Sequence, residues 1–262
     1  MKESRKVDYG IDAPGIRMGM FLISIVGLML IFFTIWARST WFKDLPVVFL
    51  VCAIVGLILT LYGLFMASYM TYSSRIGKLK TRDFLLNEAG KYIKWNEISQ
   101  TLDIGCGKGL LLIGAVKRLK TGVSIGIDIW NSNDQSENKE SSTLQNAYME
   151  GVIEKINLLT ADARILPFDN ETIDLVMSHW VIHNIEPENE QLKSLNEMYR
   201  VLKPRGVILL ADIQNVKNYA THLEAMGSKT VYYNDGGFEA KVMSILSGGT
   251  YVPQSIICIK PV

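Results

Sequence analysis

Two stretches of this chain carry no charged residue: the twenty residues from Met18 to Ala37 and the thirty from Leu45 to Ser74. A helix rises about 1.5 Å per residue, so roughly twenty apolar residues cross the hydrocarbon core of a bilayer. Each run is long enough. Together they lift the mean hydropathy to +0.17, high for a water-soluble chain. The second run exceeds what a span needs, and its polar end, Ala67 to Ser74, is placed at the interface. A two-helix transmembrane hairpin over residues 18–74 is expected, preceded by a segment 1–17. A signal peptide would explain Lys2, Arg5 and Lys6 upstream of the first run. That run is too long for one, no small-residue cleavage site follows, and a second span begins seven residues later. Gly56 and Gly63, two turns apart, suit close packing against the first helix.

Basic residues near the spans set the expected orientation. Lys2, Arg5, Lys6 and Arg17 precede the first; Arg75, Lys78, Lys80, Arg82, Lys91 and Lys94 follow the second. The connecting loop holds only Arg38 and Lys43. Both termini, and everything after the second span, are therefore expected in the cytoplasm of a multi-pass membrane protein. Trp36, Trp41 and Phe42 would form the outer aromatic belt, Tyr69 and Tyr72 the inner one. A formal net charge of +1 gives no sign of a nucleic-acid partner. Three cysteines provide neither a disulfide framework nor a metal pattern.

Residues 75–98 form the expected linker, in which basic residues alternate with Ile76, Leu79, Phe84, Leu85, Leu86 and Ile93 at helical spacing. Such a basic amphipathic helix can lie on the anionic inner leaflet or pack against a sheet. From residue 99 to 262, strands and helices alternate, which argues for a parallel sheet covered on both faces. Strands are expected near 99–104, 123–128, 156–160, 173–178 and 206–212, with helices near 109–119, 142–150, 189–202 and 216–226. A hairpin-like pair near 230–233 and 255–260 closes the sheet, and the polar stretch Asn131–Ser142 reads as a loop, either a lid or a surface insertion.

Leu102-Asp-Ile-Gly-Cys-Gly-Lys-Gly-Leu110 is a strand ending in an acid, a glycine turn and a helix start. Glycine lets backbone approach a nucleoside closely and tolerates positive φ. The spacing of Gly105, Gly107 and Gly109 departs from the dinucleotide fingerprint, because Leu110 stands where its last glycine would fall. A carboxylate at Asp103 suits a ligand amino group better than a pyrophosphate. Asp128, ending the second strand nineteen residues after Gly109, can accept both hydroxyls of a ribose. Asp162, in Leu159-Thr-Ala-Asp-Ala163, ends the third strand, where a turn cap is the ordinary alternative. Three acids at successive strand ends fit one cleft beyond the carboxyl edge of the sheet.

The turn D-x-G-C-G-x-G resembles motif I of class I S-adenosylmethionine-dependent methyltransferases, and the downstream segments resemble the type 11, ubiquinone/menaquinone-biosynthesis-like branch. Lys108 departs from the Thr or Ser usual there, and Arg205 replaces the first glycine of the E-x-x-R-V-L-K-P-G-G segment seen at Glu197–Gly206. The resemblance, over roughly residues 95–262, implies a Rossmann-like, doubly wound, seven-stranded mainly parallel α/β sheet with S-adenosyl-L-methionine as cofactor. It implies that Asp103, Gly105 and Gly107 hold the methionine end and Asp128 the ribose. Ile129, Asp162 and Ala163 then hold the adenine, and Ser178 joins the cofactor-binding set. The run His179-Trp-Val-Ile-His183 would face the transferring methyl group. His179 is the leading candidate for a general base and His183 the second, since imidazole titrates near neutral pH. No acidic third ligand stands beside the two histidines, so a metal site is not expected.

These readings give a membrane-anchored methyltransferase acting on a small or lipid-like acceptor, such as a quinone, a sterol-like lipid or a phospholipid headgroup. The alternative is a non-catalytic S-adenosylmethionine-binding membrane protein, a sensor or scaffold. Arsenite methylation is disfavoured because the part outside the spans has only Cys106 and Cys258 as thiols. Nicotinamide-dependent oxidation is disfavoured by Leu110 and Asp103.

Overall fold

The computed structural model describes residues 7–40, 46–131 and 135–262. Trp41, Phe42 and Lys43, and the N-terminal Lys2, Arg5 and Lys6, lie outside the described residues. The chain forms two compact units: Gly10–Lys78 with the loop segment 135–137, and Val7–Tyr9 with Leu79–Asn131 and Asn138–Val262.

The first unit is a helical pair, α1 (Pro14–Thr40) and α2 (Pro46–Tyr72), continued by one π-helical turn at Ser73–Gly77. Both helices are long and apolar enough to cross a membrane. Their surface is inverted relative to a soluble domain. Ser24, Thr34 and Thr60 are buried, whereas Phe32, Met29, Ile35, Val47 and Leu50 are exposed. Glycine sets the spacing of the pair: a Cβ on Gly56 would stand 2.8 Å from Gly27 O, and one on Gly63 2.5 Å from Met20 O. The helices meet along this stripe, as the spacing of Gly56 and Gly63 predicts, and Gly27 completes it from α1. Ahead of α1, Asp12 pairs with Gln135 in an antiparallel bridge, and Ser136 N donates to Ile11 O at 3.0 Å. Part of the polar loop after the second strand is thus held by the chain that leads into α1.

The second unit is a seven-stranded sheet of order β3-β2-β1-β4-β5-β7-β6. Its strands are β1 (Gln100–Ile104), β2 (Val123–Asp128), β3 (Ile156–Thr160), β4 (Ile173–His179), β5 (Leu202–Asp212), β6 (Lys229–Asn234) and β7 (Gln254–Ile259). The five strands β1 to β5 run parallel, and β7 inserts antiparallel between β5 and β6. The near-continuous apolar sequences of β2, β4 and the second half of β5 reflect burial on both faces, whereas the edge strands β3 and β6 are partly exposed. One face carries α3 (Lys78–Ala89), where Leu85, Leu86 and Ala89 pack with Leu175, Met177, Val207 and Leu209. Of the two settings open to the basic linker helix, the structure therefore shows the one against the sheet. Burying the two leucines stabilises that docking by roughly 1.5–3 kcal/mol each. The remaining helices are α4 (Leu110–Val116), α5 (Glu140–Met149), α6 (Glu188–Val201), α7 (Val216–Ala225) and α8 (Gly237–Leu246).

Two differences from the expected elements have local causes. β6 and β7 form an antiparallel pair, as expected, but α8 is interposed, so they are not a tight hairpin. This helix shows weak sequence periodicity because Phe238 and Ile245 are exposed while Ala240 and Met243 are buried. β5 begins at Leu202 rather than 206, with a register irregularity against β4. There Arg205 adopts φ 65°, the left-handed conformation that glycine would take without strain.

Candidate active site

The carboxyl ends of β1, β2, β3 and β4 carry the residues that the sequence singles out. After β1 the chain turns through Gly105 (φ 67°), Gly107 (φ 49°) and Gly109 (φ 85°) into α4. Gly105 is also a point of close approach, since a Cβ there would lie 2.3 Å from Cγ2 of Val181. The segment after β4 therefore lies directly over the glycine turn.

Asp103 is buried, and its Oδ2 accepts the Leu112 N–H at 2.8 Å. Burial pushes its carboxyl up to about 8, the Leu112 N–H partly offsetting this and the Asp128 charge adding to it. Asp128 faces the same turn: Oδ2 accepts from Gly107 N at 2.8 Å, while Oδ1 accepts from Trp130 N at 2.6 Å and Asn138 Nδ2 at 3.2 Å. Ile129, the next residue, is exposed.

Asp162 follows β3 and caps its own turn, accepting Arg164 N at 2.9 Å and pairing with the Arg164 guanidinium. That guanidinium holds the Asp162 carboxyl below the usual range. The turn-capping alternative is thus realised, with the carboxylate still half-exposed and Ala163 beside it. Ser178 is buried in β4, and its Oγ donates to Ile104 O at 3.2 Å, tying β4 to β1.

Sequence reasoning missed three features of this region. Lys108, the departure from motif I, is buried and pairs with Asp8 at 3.1 Å. Asn146 bridges the same two residues, donating to Asp8 O at 2.9 Å and Lys108 O at 3.0 Å and accepting Asp8 N at 3.1 Å. A short segment at the N-terminal side of α1 thus fixes the turn. Asn138 is the second feature: it is buried against Asp128, and its Oδ1 has no hydrogen-bond partner.

The third is a histidine–carboxylate pair. His183 lies on a 3-10 turn at Ile182–Asn184, and its Nδ1 hydrogen-bonds Asp212 Oδ1 at the end of β5. Asp212 is fully buried and also accepts His183 N at 3.1 Å and Ile213 N at 2.8 Å. With Nδ1–H facing a carboxylate, Nε2 is the ring position left to accept a proton. His179, ending β4, instead stacks on Trp180 at 4.7 Å between centroids, and Tyr251 meets Trp180 edge-on at 5.7 Å. Trp180 itself has φ 59°, a strained conformation for a bulky residue. Cys106 and Cys258 are buried, and burial raises both thiols, so neither is presented as a thiolate.

This sheet order, the glycine turn after β1 and the acid closing β2 define the class of S-adenosylmethionine-dependent methyltransferase folds. Within it, residues 102–210 match the family model described as a methyltransferase domain. An uncharacterized protein of Haemophilus influenzae is 30% identical over 153 residues, covering 58% of this chain and 56% of the relative. The ubiquinone/menaquinone biosynthesis C-methyltransferase UbiE of Geotalea daltonii is 28% identical over 171 residues, covering 64% and 67%. The chain spans about half the length of several curated relatives it matches. Among solved structures, geranyl diphosphate C-methyltransferase of Streptomyces coelicolor, in complex with S-adenosyl-L-homocysteine, superposes with a TM-score of 0.55 at 12% identity, covering 69% of this chain and 77% of that one. At that identity the likeness concerns the fold.

The residues present fit the cofactor of this class. The glycine turn holds Gly105, Gly107 and Gly109 at positive φ, Asp103 and Asp128 supply carboxylates beside it, and Asn138 Oδ1 is a buried acceptor without a hydrogen-bond partner.

Proposed function

We propose that this protein is a membrane-anchored methyltransferase whose catalytic domain lies in the cytoplasm and whose acceptor is a small, membrane-resident molecule. The observation that carries the catalytic part is the pairing of His183 with buried Asp212 on the segment that lies over the glycine turn. The cofactor supplies a methyl group already activated on a sulfonium.

Asp103 and the glycine turn hold its amino-acid end, and Asp128 with Asn138 binds the ribose side. Ile129, Asp162 and Ala163 border the adenine, and Ser178 acts in this set by fixing β4 beside β1. His183 Nε2 accepts the proton that an acceptor hydroxyl or enol loses on attack, while Asp212 keeps the ring in the tautomer that can do so. His179, Trp180 and Tyr251 form an aromatic wall that excludes water and positions a planar acceptor. In this reading His179 contacts the acceptor and His183 is the base.

Two observations support the anchor. The paired helices expose their apolar side chains and bury hydroxyls, the arrangement expected of a pair surrounded by lipid. The chain leaves the catalytic unit after Tyr9 and re-enters it at Leu79, so an excursion of two spans returns it to the side it left. Basic residues at both flanks make that side cytoplasmic. The UbiE-type relatives favour a quinone among lipid-like acceptors.

The test is calorimetric binding of S-adenosylmethionine and S-adenosylhomocysteine to detergent-purified protein, followed by S-adenosylhomocysteine formation on adding membrane lipid extract. Binding with turnover is the expected result. Binding with no turnover on any quinone or lipid fraction would leave a cofactor-binding scaffold instead.

A further inference from the structure

The helical pair carries a groove of about 430 Å³ lined by Phe21, Ser68, Thr71, Tyr72, Arg75 and Ile76. It lies where the uncharged sequence ends: Arg17 immediately precedes Met18, and Arg75 immediately follows Ser74. The π-helical turn Ser73–Gly77 presents Arg75 and Ile76 to it, and such turns recur at functional sites. Arg17 contacts two of the lining residues, its Nη1 3.4 Å from Thr71 Oγ1 and its guanidinium 5.9 Å from the Phe21 ring centroid.

Two further facts give the groove its chemistry. Arg17 Nε is hidden from solvent without a hydrogen-bond acceptor. Among the described residues neither arginine has an ion-pair partner, because Asp12, the nearby acid in this unit, is held by Lys78 at 3.0 Å and by Ser74. The groove therefore combines the Arg75 guanidinium in its lining, the Arg17 guanidinium against its Thr71 and Phe21, three hydroxyl side chains and apolar walls at a hydrocarbon–water boundary. Guanidinium groups match phosphate oxygens in geometry and charge.

We propose that this groove binds the headgroup phosphate of an anionic phospholipid, with an acyl chain running along Phe21 and Ile76. The proposal rests on the insertion of the hairpin in a bilayer. Net positive charge selects a lipid of net negative charge over a zwitterionic one, and the apolar walls select a lipid over free phosphate.

The experiment uses the full chain in nanodiscs of phosphatidylcholine with or without phosphatidylglycerol, and native mass spectrometry of the lipid retained after transfer to neutral detergent. Preferential retention of phosphatidylglycerol is expected. Arg17→Gln and Arg75→Gln should each reduce that preference about fivefold, as expected for loss of one basic contact near the surface. Both variants should keep wild-type cofactor binding, which reports an intact fold. Equal retention of the two lipids, or undiminished preference in both variants, overturns the proposal. So does displacement of the lipid by glycerol phosphate, which would make the groove a soluble-phosphate site. Resistance of the wild-type protein to alkaline extraction from phosphatidylcholine vesicles tests insertion itself; failure there removes the anchor reading, whereas success without lipid preference removes only the groove's role.

Discussion

His183, on the turn that follows β4, is hydrogen-bonded to Asp212 at the end of the adjacent β5, twenty-nine residues away in sequence, with the carboxylate fully buried. If His183 is the proton acceptor, His183→Gln should lower turnover by roughly 10²–10⁴-fold, the usual contribution of a general base. Asp212→Asn should lower it in the same direction by releasing the tautomer. Cofactor affinity, measured by calorimetry, should be unchanged in His183→Gln. Turnover that survives the substitution would reassign the base.

Asp128 gathers three donors, from Gly107, Trp130 and Asn138, and so organises both the glycine turn and the loop beyond β2. Asp128→Ala is expected to abolish measurable cofactor binding. Asn138→Ala should weaken it by an amount worth about 1–2 kcal/mol, since an acceptor and a prop for the carboxylate are lost together. An Asn138→Ala protein that binds as tightly as wild type would limit this residue to loop packing.

Asp103 makes the site sensitive to pH. Its carboxyl titrates near 8 in the ligand-free fold, above the unfolded value, so the fold binds the extra proton. The stability due to that proton is fully present below the unfolded value of 3.8 and is lost as pH rises from there through about 8. An ammonium group docked beside Asp103 favours the ionised form, so cofactor binding should release a proton. Affinity should then rise between pH 6 and 8, by at most about tenfold per unit. Calorimetry in buffers of different ionisation enthalpy measures the proton directly, and Asp103→Asn should remove it. Proton-neutral binding in wild type would place the ammonium elsewhere.

Arg205 holds a left-handed backbone conformation at φ 65°, which glycine would adopt without strain. Arg205→Gly should relieve strain of about 1 kcal/mol, partly offset by the greater freedom of glycine in the unfolded chain. A small rise in thermal midpoint, with cofactor binding unchanged, is the expected outcome.

The hairpin depends on glycine contact rather than on apolar burial. Gly63→Leu would place a side chain where Met20 O and Ser24 N stand within 2.7 Å of even a Cβ. Cysteine cross-linking between α1 and α2 should be lost in that variant, while the catalytic domain keeps its cofactor affinity. Retained cross-linking would mean that the helices meet on another face.

The sequence alone determined those parts of the fold that local pattern encodes. β2 and β3 occupy Val123–Asp128 and Ile156–Thr160, the ranges that their apolar runs predict, and the glycine turn after β1 follows from residues that tolerate positive φ. The two long apolar helices and their glycine contact were legible for the same reason: period, composition and chain length are local properties. Tertiary structure decided what each polar group in the site faces. Lys108 meets Asp8 from a hundred residues away, Asn138 turns back onto Asp128, and His183, not singled out first from sequence, meets Asp212. It also decided that α3 docks on the sheet, since its mixed basic and apolar sequence suits a leaflet as well. A hydrogen bond depends on where two distant chain segments are brought together, and that placement is set by the packing of the whole sheet, which no local pattern records.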